Sequence, residues 1–122
     1  MIFECASEFL RELKALSKKW PSLPEDLAAA KPIIEALYTD QPEVDRTALR
    51  NKFFNNARAT ILTSTDSYEL VKMRLDCVSL GNKHSLRIVF ISYTTKGSIF
   101  FLELFSKTDK AREDGKRINK YL

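Results

Sequence analysis

Lys72, Arg74 and Arg87 stand inside two stretches that read as β-strands, YELVKMRLDC and LRIVFISY, and Lys83 and His84 occupy the loop between them. A cation in a strand interior is acceptable where that face of the sheet meets solvent or a ligand. Val71, Met73, Leu75 and Cys77 share one apolar face of the first strand, so Leu70, Lys72, Arg74 and Asp76 share the other. If strand register sets Arg87 and the loop residue Lys83 beside Lys72 and Arg74, these cations converge. They could then hold phosphate through charge-assisted hydrogen bonds.

Such a cluster can also break a phosphodiester. Attack of an RNA 2′-OH on the adjacent phosphate needs a base for the hydroxyl, an acid for the leaving 5′-oxygen and cations for the charge that builds in the transition state. Lys and Arg supply the last function directly, and a Lys whose pKa is lowered by neighbouring cations can transfer protons near neutral pH. No metal is required. His84, the one histidine, has suitable acid–base chemistry, or is an exposed loop residue without a task. Arg87 either serves phosphate or pairs with Glu103 on the next strand, and Lys72 and Arg74 either serve phosphate or pair with Asp76 and Glu69.

The elements that must position these residues follow from periodicity. Met1 to Cys5 has strand character, and Ser7 offers an N-cap. Phe9, Leu10, Leu13, Leu16 and Trp20 form a helical stripe, with Arg11, Glu12, Lys14, Lys18 and Lys19 facing water, and Pro21 stops the helix. Pro24, Glu25 and Asp26 open a second helix bearing Leu27, Ile34 and Leu37, which Pro32 should kink or divide. In residues 39 to 66 the signals are faint: Asp45 could cap a short helix carrying Leu49, Phe53 and Phe54, and Ala59 to Thr63 could be a brief strand. Then come a strand from Tyr68, a turn at Gly81-Asn82, a strand Leu86 to Tyr93, a turn at Lys96-Gly97 and an apolar strand Ser98 to Phe105, a three-strand antiparallel meander. The tail from Thr108 to Leu122 reads as a marginal helix capped at Thr108 or Asp109, with Ala111, Ile118 and Leu122 as a weak stripe, ordered by a partner.

Composition bounds the class. The chain of 122 residues is 44% apolar with few Gly and Pro, which suits one packed domain that buries roughly two-thirds of its unfolded surface. No signal-peptide pattern opens it and no apolar run reaches the ~20 residues of a membrane span, so a cytoplasmic protein without a membrane partner is expected. Cys5 and Cys77 match no ligand spacing and read as reduced core thiols. With one His and two isolated Cys, no zinc site or other metal is expected, and no cofactor is implied. The net charge of +4 is uneven: residues 67 to 122 carry +5 and residues 1 to 66 carry −1. That bias suits a polyanion or an acidic protein partner, or makes a solvated basic face.

The order of these motifs resembles the RelE/ParE toxins of bacterial and archaeal toxin–antitoxin modules, and most the RelE/HigB-like ribonuclease branch. FECASEFLRELKALSKKWPSLPEDL is similar to that family's strand, Lys-rich helix, aromatic-Pro-Ser-Leu break and acidic second helix. YELVKMRLDC resembles its "iyKiRla" strand, GNKHSLRIVFISY stands where it has "GKSGGyRViYy", and FLELFSKTDKAREDGKRINKYL resembles "LLxiYsKsdKxxxsxxEikkil". The resemblance implies an α+β fold, a small curved antiparallel sheet with two N-terminal helices on one face and a short C-terminal helix. It implies an mRNA endonuclease that acts in the ribosomal A site and is held inactive by a cognate antitoxin protein.

Carried over by position, the resemblance gives Arg87 and Lys107 to the scissile phosphate, Lys72 or Lys83 to proton transfer or phosphate contact, and Arg74 to substrate positioning, with His84 a further catalytic candidate and Lys110 a phosphate contact. The chain departs from the family at His84-Ser85-Leu86, where Ser-Gly-Gly is usual, at Phe105, where a Tyr is usual, and in a longer connection over residues 39 to 66. Two other readings stay open beside the ribonuclease. One is a non-catalytic toxin of this fold that poisons DNA gyrase, and the other is an inactive relative that binds an antitoxin.

Overall fold

The computed structural model describes residues 1–81 and 85–122. β1 (Ile2–Cys5) leads into three helices, α1 (Ser7–Lys19), α2 (Leu23–Tyr38) and α3 (Arg46–Asn55). They are followed by β2 (Ala59–Ser64), β3 (Tyr68–Arg74), β4 (Leu86–Tyr93), β5 (Ser98–Ser106) and α4 (Gly115–Tyr121). The strands form one sheet in the order β1-β5-β4-β3-β2. The class is α+β, and the β3-β4-β5 meander stands where alternation places it.

The sheet is mixed rather than wholly antiparallel, because β1 runs parallel to β5 along its edge. Phe3 of β1 stacks on Phe101 of β5 with ring centroids 6.0 Å apart, which ties the first strand to the last. Phe9 of α1 stacks on the same Phe101 ring at 5.2 Å. Around this stack, Leu23, Ile34 and Leu37 of α2 and the apolar face Val71, Met73, Leu75 and Cys77 are buried in the main core. The thiols of Cys5 and Cys77 are free.

Three local differences from the sequence reading have physical causes. α2 runs unbroken through Pro32. A proline costs a helix interior about 3 kcal/mol, and burial of Leu27, Ile34 and Leu37 at roughly 1.5–3 kcal/mol each offsets it. Ser7 is the first residue of α1 and not its cap; Ala6 takes that place without a side-chain bond. The tail helix starts at Gly115, where the Asp114 carboxylate accepts the Arg117 N–H at 3.1 Å, and so not at Thr108 or Asp109.

α4 packs on the sheet face opposite α1 and α2. Its Ile118 closes a second, smaller cluster of Leu70, Val89, Ile91, Leu102 and Phe105. Charged side chains of α1 hold it there. Arg117 donates to both Glu12 carboxylate oxygens at 2.8 and 3.0 Å, and the Tyr121 hydroxyl donates to Glu8 at 2.7 Å. Glu12 therefore anchors the tail instead of facing water, and the tail is ordered by its own chain. Among the described residues no helix is long and apolar enough to cross a membrane.

Candidate phosphate-binding site

Strand register decides whether the strand cations meet. Arg74 of β3 stands directly opposite Arg87 of β4, and Lys72 stands opposite Val89. Across the next ladder Arg87 faces Phe105 and Val89 faces Glu103, while β2 sets Thr60 beside Lys72. Side chains of paired residues share a face, so Thr60, Lys72, Arg74 and Arg87 all project away from the main core.

Two flanking segments bring further cations. Lys107 follows β5, where its N–H donates to the Ser85 carbonyl at 2.8 Å; Arg58 precedes β2, where its carbonyl accepts the Arg74 N–H at 2.9 Å. The product is a cleft of about 180 Å³ lined by Ala57, Arg58, Thr60, Lys72, Arg74, Arg87 and Lys107. Of the residues expected in a phosphate site, Lys72, Arg74, Arg87 and Lys107 come together here. Lys83 and His84 lie outside the described residues.

Lys110 is directed elsewhere. Its ammonium pairs with the Glu103 carboxylate and lies over the Phe105 ring, 5.2 Å from the centroid. Glu103 is fully buried and also accepts the Asp114 N–H at 2.8 Å, so this carboxylate is satisfied by the tail and not by Arg87. Glu69 likewise serves a structural pair, accepting from Arg50 at 2.8 Å and from the Tyr38 hydroxyl at 2.9 Å.

The cleft is strongly cationic and partly dry. Burial lowers the pKa of the Arg87 guanidinium, and the Arg74 charge opposite lowers it further. Arg87 Nη1 donates to the Leu86 carbonyl at 3.0 Å. The Arg74 Nε is buried without a hydrogen-bond partner among the described residues, a donor whose desolvation an incoming acceptor would repay in part. Lys72 donates to Glu113 at 2.9 Å and Arg58 donates to Asp76 at 3.0 Å, so two carboxylates stand at the rim as internal counter-ions. Burial works against ionisation of Glu113, but the Lys72 hydrogen bond, its own backbone amide and the Lys72 and Arg112 charges together hold its pKa below the ordinary value.

Arg58 and Glu113 are the residues that the sequence did not point to. The signal for Arg58 was the β2–β3 register, since Ala59 pairs with Met73 and thereby sets Arg58 against Arg74. Glu113 sits in a connection without periodicity and carries no such signal. No family model, no curated protein and no solved structure matches the chain, so the residues of the cleft are the basis for a functional reading.

Proposed function

We propose that this chain is a RelE/HigB-type toxin that cleaves mRNA in the ribosomal A site and is silenced by a cognate antitoxin. One observation carries the reading: the cations of β3 and β4, which the β3–β4 register puts on one face, line a single cleft with Arg58 and Lys107. A phosphodiester in that cleft meets three guanidinium groups and two ammonium groups, a donor set suited to a pentacoordinate phosphorane that carries extra negative charge.

In the proposed step the 2′-oxygen forms a bond to phosphorus as the bond from phosphorus to the 5′-oxygen breaks. The 2′-OH proton leaves to water, and the Lys72 ammonium supplies a proton to the departing 5′-oxygen and regains one from solvent. The products are a 2′,3′-cyclic phosphate and a 5′-OH. Arg74 and Arg87 hold the non-bridging oxygens, and Lys107 closes the cleft from the end of β5. The reaction takes place in the cytoplasm, on translated message.

A specific observation favours a second reading. Among its described lining residues the cleft holds no carboxylate, histidine or tyrosine, and Phe105, opposite Arg87, has no hydroxyl. Described lining residues without a strong proton acceptor suit binding better than bond breaking, as in a gyrase poison or an antitoxin-binding relative. Primer extension on a reporter message, with and without ribosomes, separates the two. Ribosome-dependent cuts support the ribonuclease, whereas intact message together with inhibited DNA supercoiling supports the poison.

A further inference from the structure

A second concavity, about 420 Å³, opens where α2 and α3 meet the end of β3. Its walls are mainly apolar, with Ala29 and Ile33 from α2, Phe53 from α3, and Met73 and Leu75 below. Arg58 and Arg74 line both this groove and the cation cleft, so the two hollows adjoin at these residues. At that junction Arg58 lies over the Phe53 ring, 5.1 Å from its centroid, and the buried Arg74 Nε has no hydrogen-bond partner among the described residues.

An occupant that uses both compartments has a flat, weakly polar body joined within a few ångströms to an anion. Inorganic phosphate would leave the groove empty, and an aliphatic chain would leave the cations unsatisfied. A nucleotide meets both demands. The carboxylates at the groove, Asp26 and Asp76, offer acceptors to the exocyclic amino group of a base; Asp26 is already fixed by the Ser22 hydroxyl at 2.7 Å, and Asp76 by Arg58 at 3.0 Å.

We propose that the groove between α2, α3 and the end of β3 is a nucleobase subsite, which seats the base of a nucleotide whose phosphate lies on Arg74, Arg87 and Lys107. This deepens the proposed function and rests on its reading of the cleft as a phosphate site. It adds a place where a base, and not only the backbone, contacts the protein.

The test is a calorimetric titration of the full chain with adenosine 5′-monophosphate and with ribose 5-phosphate, for the wild type and for Ala29→Trp. Ala29 is an exposed residue of α2, so the new ring fills the groove and leaves the cation cleft untouched; circular dichroism checks the fold. Adenosine 5′-monophosphate should bind about tenfold tighter than ribose 5-phosphate, the low end for stacking and burial of one base. Ala29→Trp should erase that ratio and leave ribose 5-phosphate binding as it was. Equal affinities in the wild type, or a ratio that survives Ala29→Trp, would overturn the subsite while the phosphate cleft stands. No binding of either compound would overturn the phosphate reading and the subsite with it. RNA cleavage is not measured in this titration, so the ribonuclease reading succeeds or fails separately.

Discussion

Arg74 and Arg87 face each other across the β3–β4 ladder, although like charges directly opposed in a sheet are destabilising by about 0.2–1 kcal/mol. Ligand binding is a reason for a strand pair to keep such an arrangement. Arg74→Leu should therefore raise the free protein's midpoint in chemical denaturation while weakening its affinity for RNA; a lowered midpoint would show that Arg74 holds the sheet together. Ala57, on the cleft lining, is among the described residues the non-glycine one at positive φ, 59°, a conformation that costs a side chain about 1–2 kcal/mol. Ala57→Gly should gain stability by about 0.5–1 kcal/mol after the added chain entropy of glycine is subtracted, and a loss would show that the methyl group contributes packing. Period-two alternation made Lys72 and Arg74 legible in the sequence, since a cation opposite a wholly apolar face has one place to go, whereas Arg87 was noticed as a cation in an apolar strand and joins them only through the β3–β4 register. Arg58 was not legible, because its position depends on the register between two strands, which pairing decides and local pattern does not.

At the scale of elements, α4 shows why a weak pattern can still make an ordered helix. Its apolar stripe supplies one buried residue, Ile118, the Tyr121 ring packs on Phe100 with centroids 5.3 Å apart, and Arg117 and the Tyr121 hydroxyl bind Glu12 and Glu8 of α1. Glu12 read in sequence as a water-facing residue, so the partner of the tail could not be seen there. The Tyr121 hydrogen bond, with the Glu8 backbone amide and Lys120, lowers the Glu8 pKa from 4.5 to about 2. A carboxyl whose folded pKa is depressed adds stability above its unfolded value, and that stability is lost as pH falls through the folded one. Docking of α4 should thus be complete above pH 4.5 and fail between about 4.5 and about 2. Amide exchange at Ile118, followed by NMR across that window, reads it directly. Undiminished protection at the acid end would mean that apolar contact alone holds the helix. The helix hairpin and the meander were legible for the opposite reason, as long runs of one period bounded by Pro or Gly, whereas Pro32 does not divide α2 because packing of the helix outweighs its local cost.

At the scale of the molecule, the sheet divides the work. One face buries the main core under α1 and α2, and the other carries a small apolar cluster under α4 beside an open cationic cleft. If the cleft binds a polyanion, affinity for RNA should fall with salt at a log–log slope of about −2 to −3, as expected when a few phosphates of a single strand are neutralised. A flat salt profile would point to an apolar protein partner. If these cations drive 2′-OH attack on ribosome-bound mRNA, as proposed, the ends of message cut in a reconstituted translation reaction carry its signature. With wild-type protein the upstream fragments should end in a 2′,3′-cyclic phosphate and the downstream fragments should begin with 5′-OH. Arg87→Ala, at unchanged fold, should slow their appearance about a hundredfold. Intact message with the wild type, fragments with 5′-phosphate ends, or full cutting by Arg87→Ala would contradict the claim.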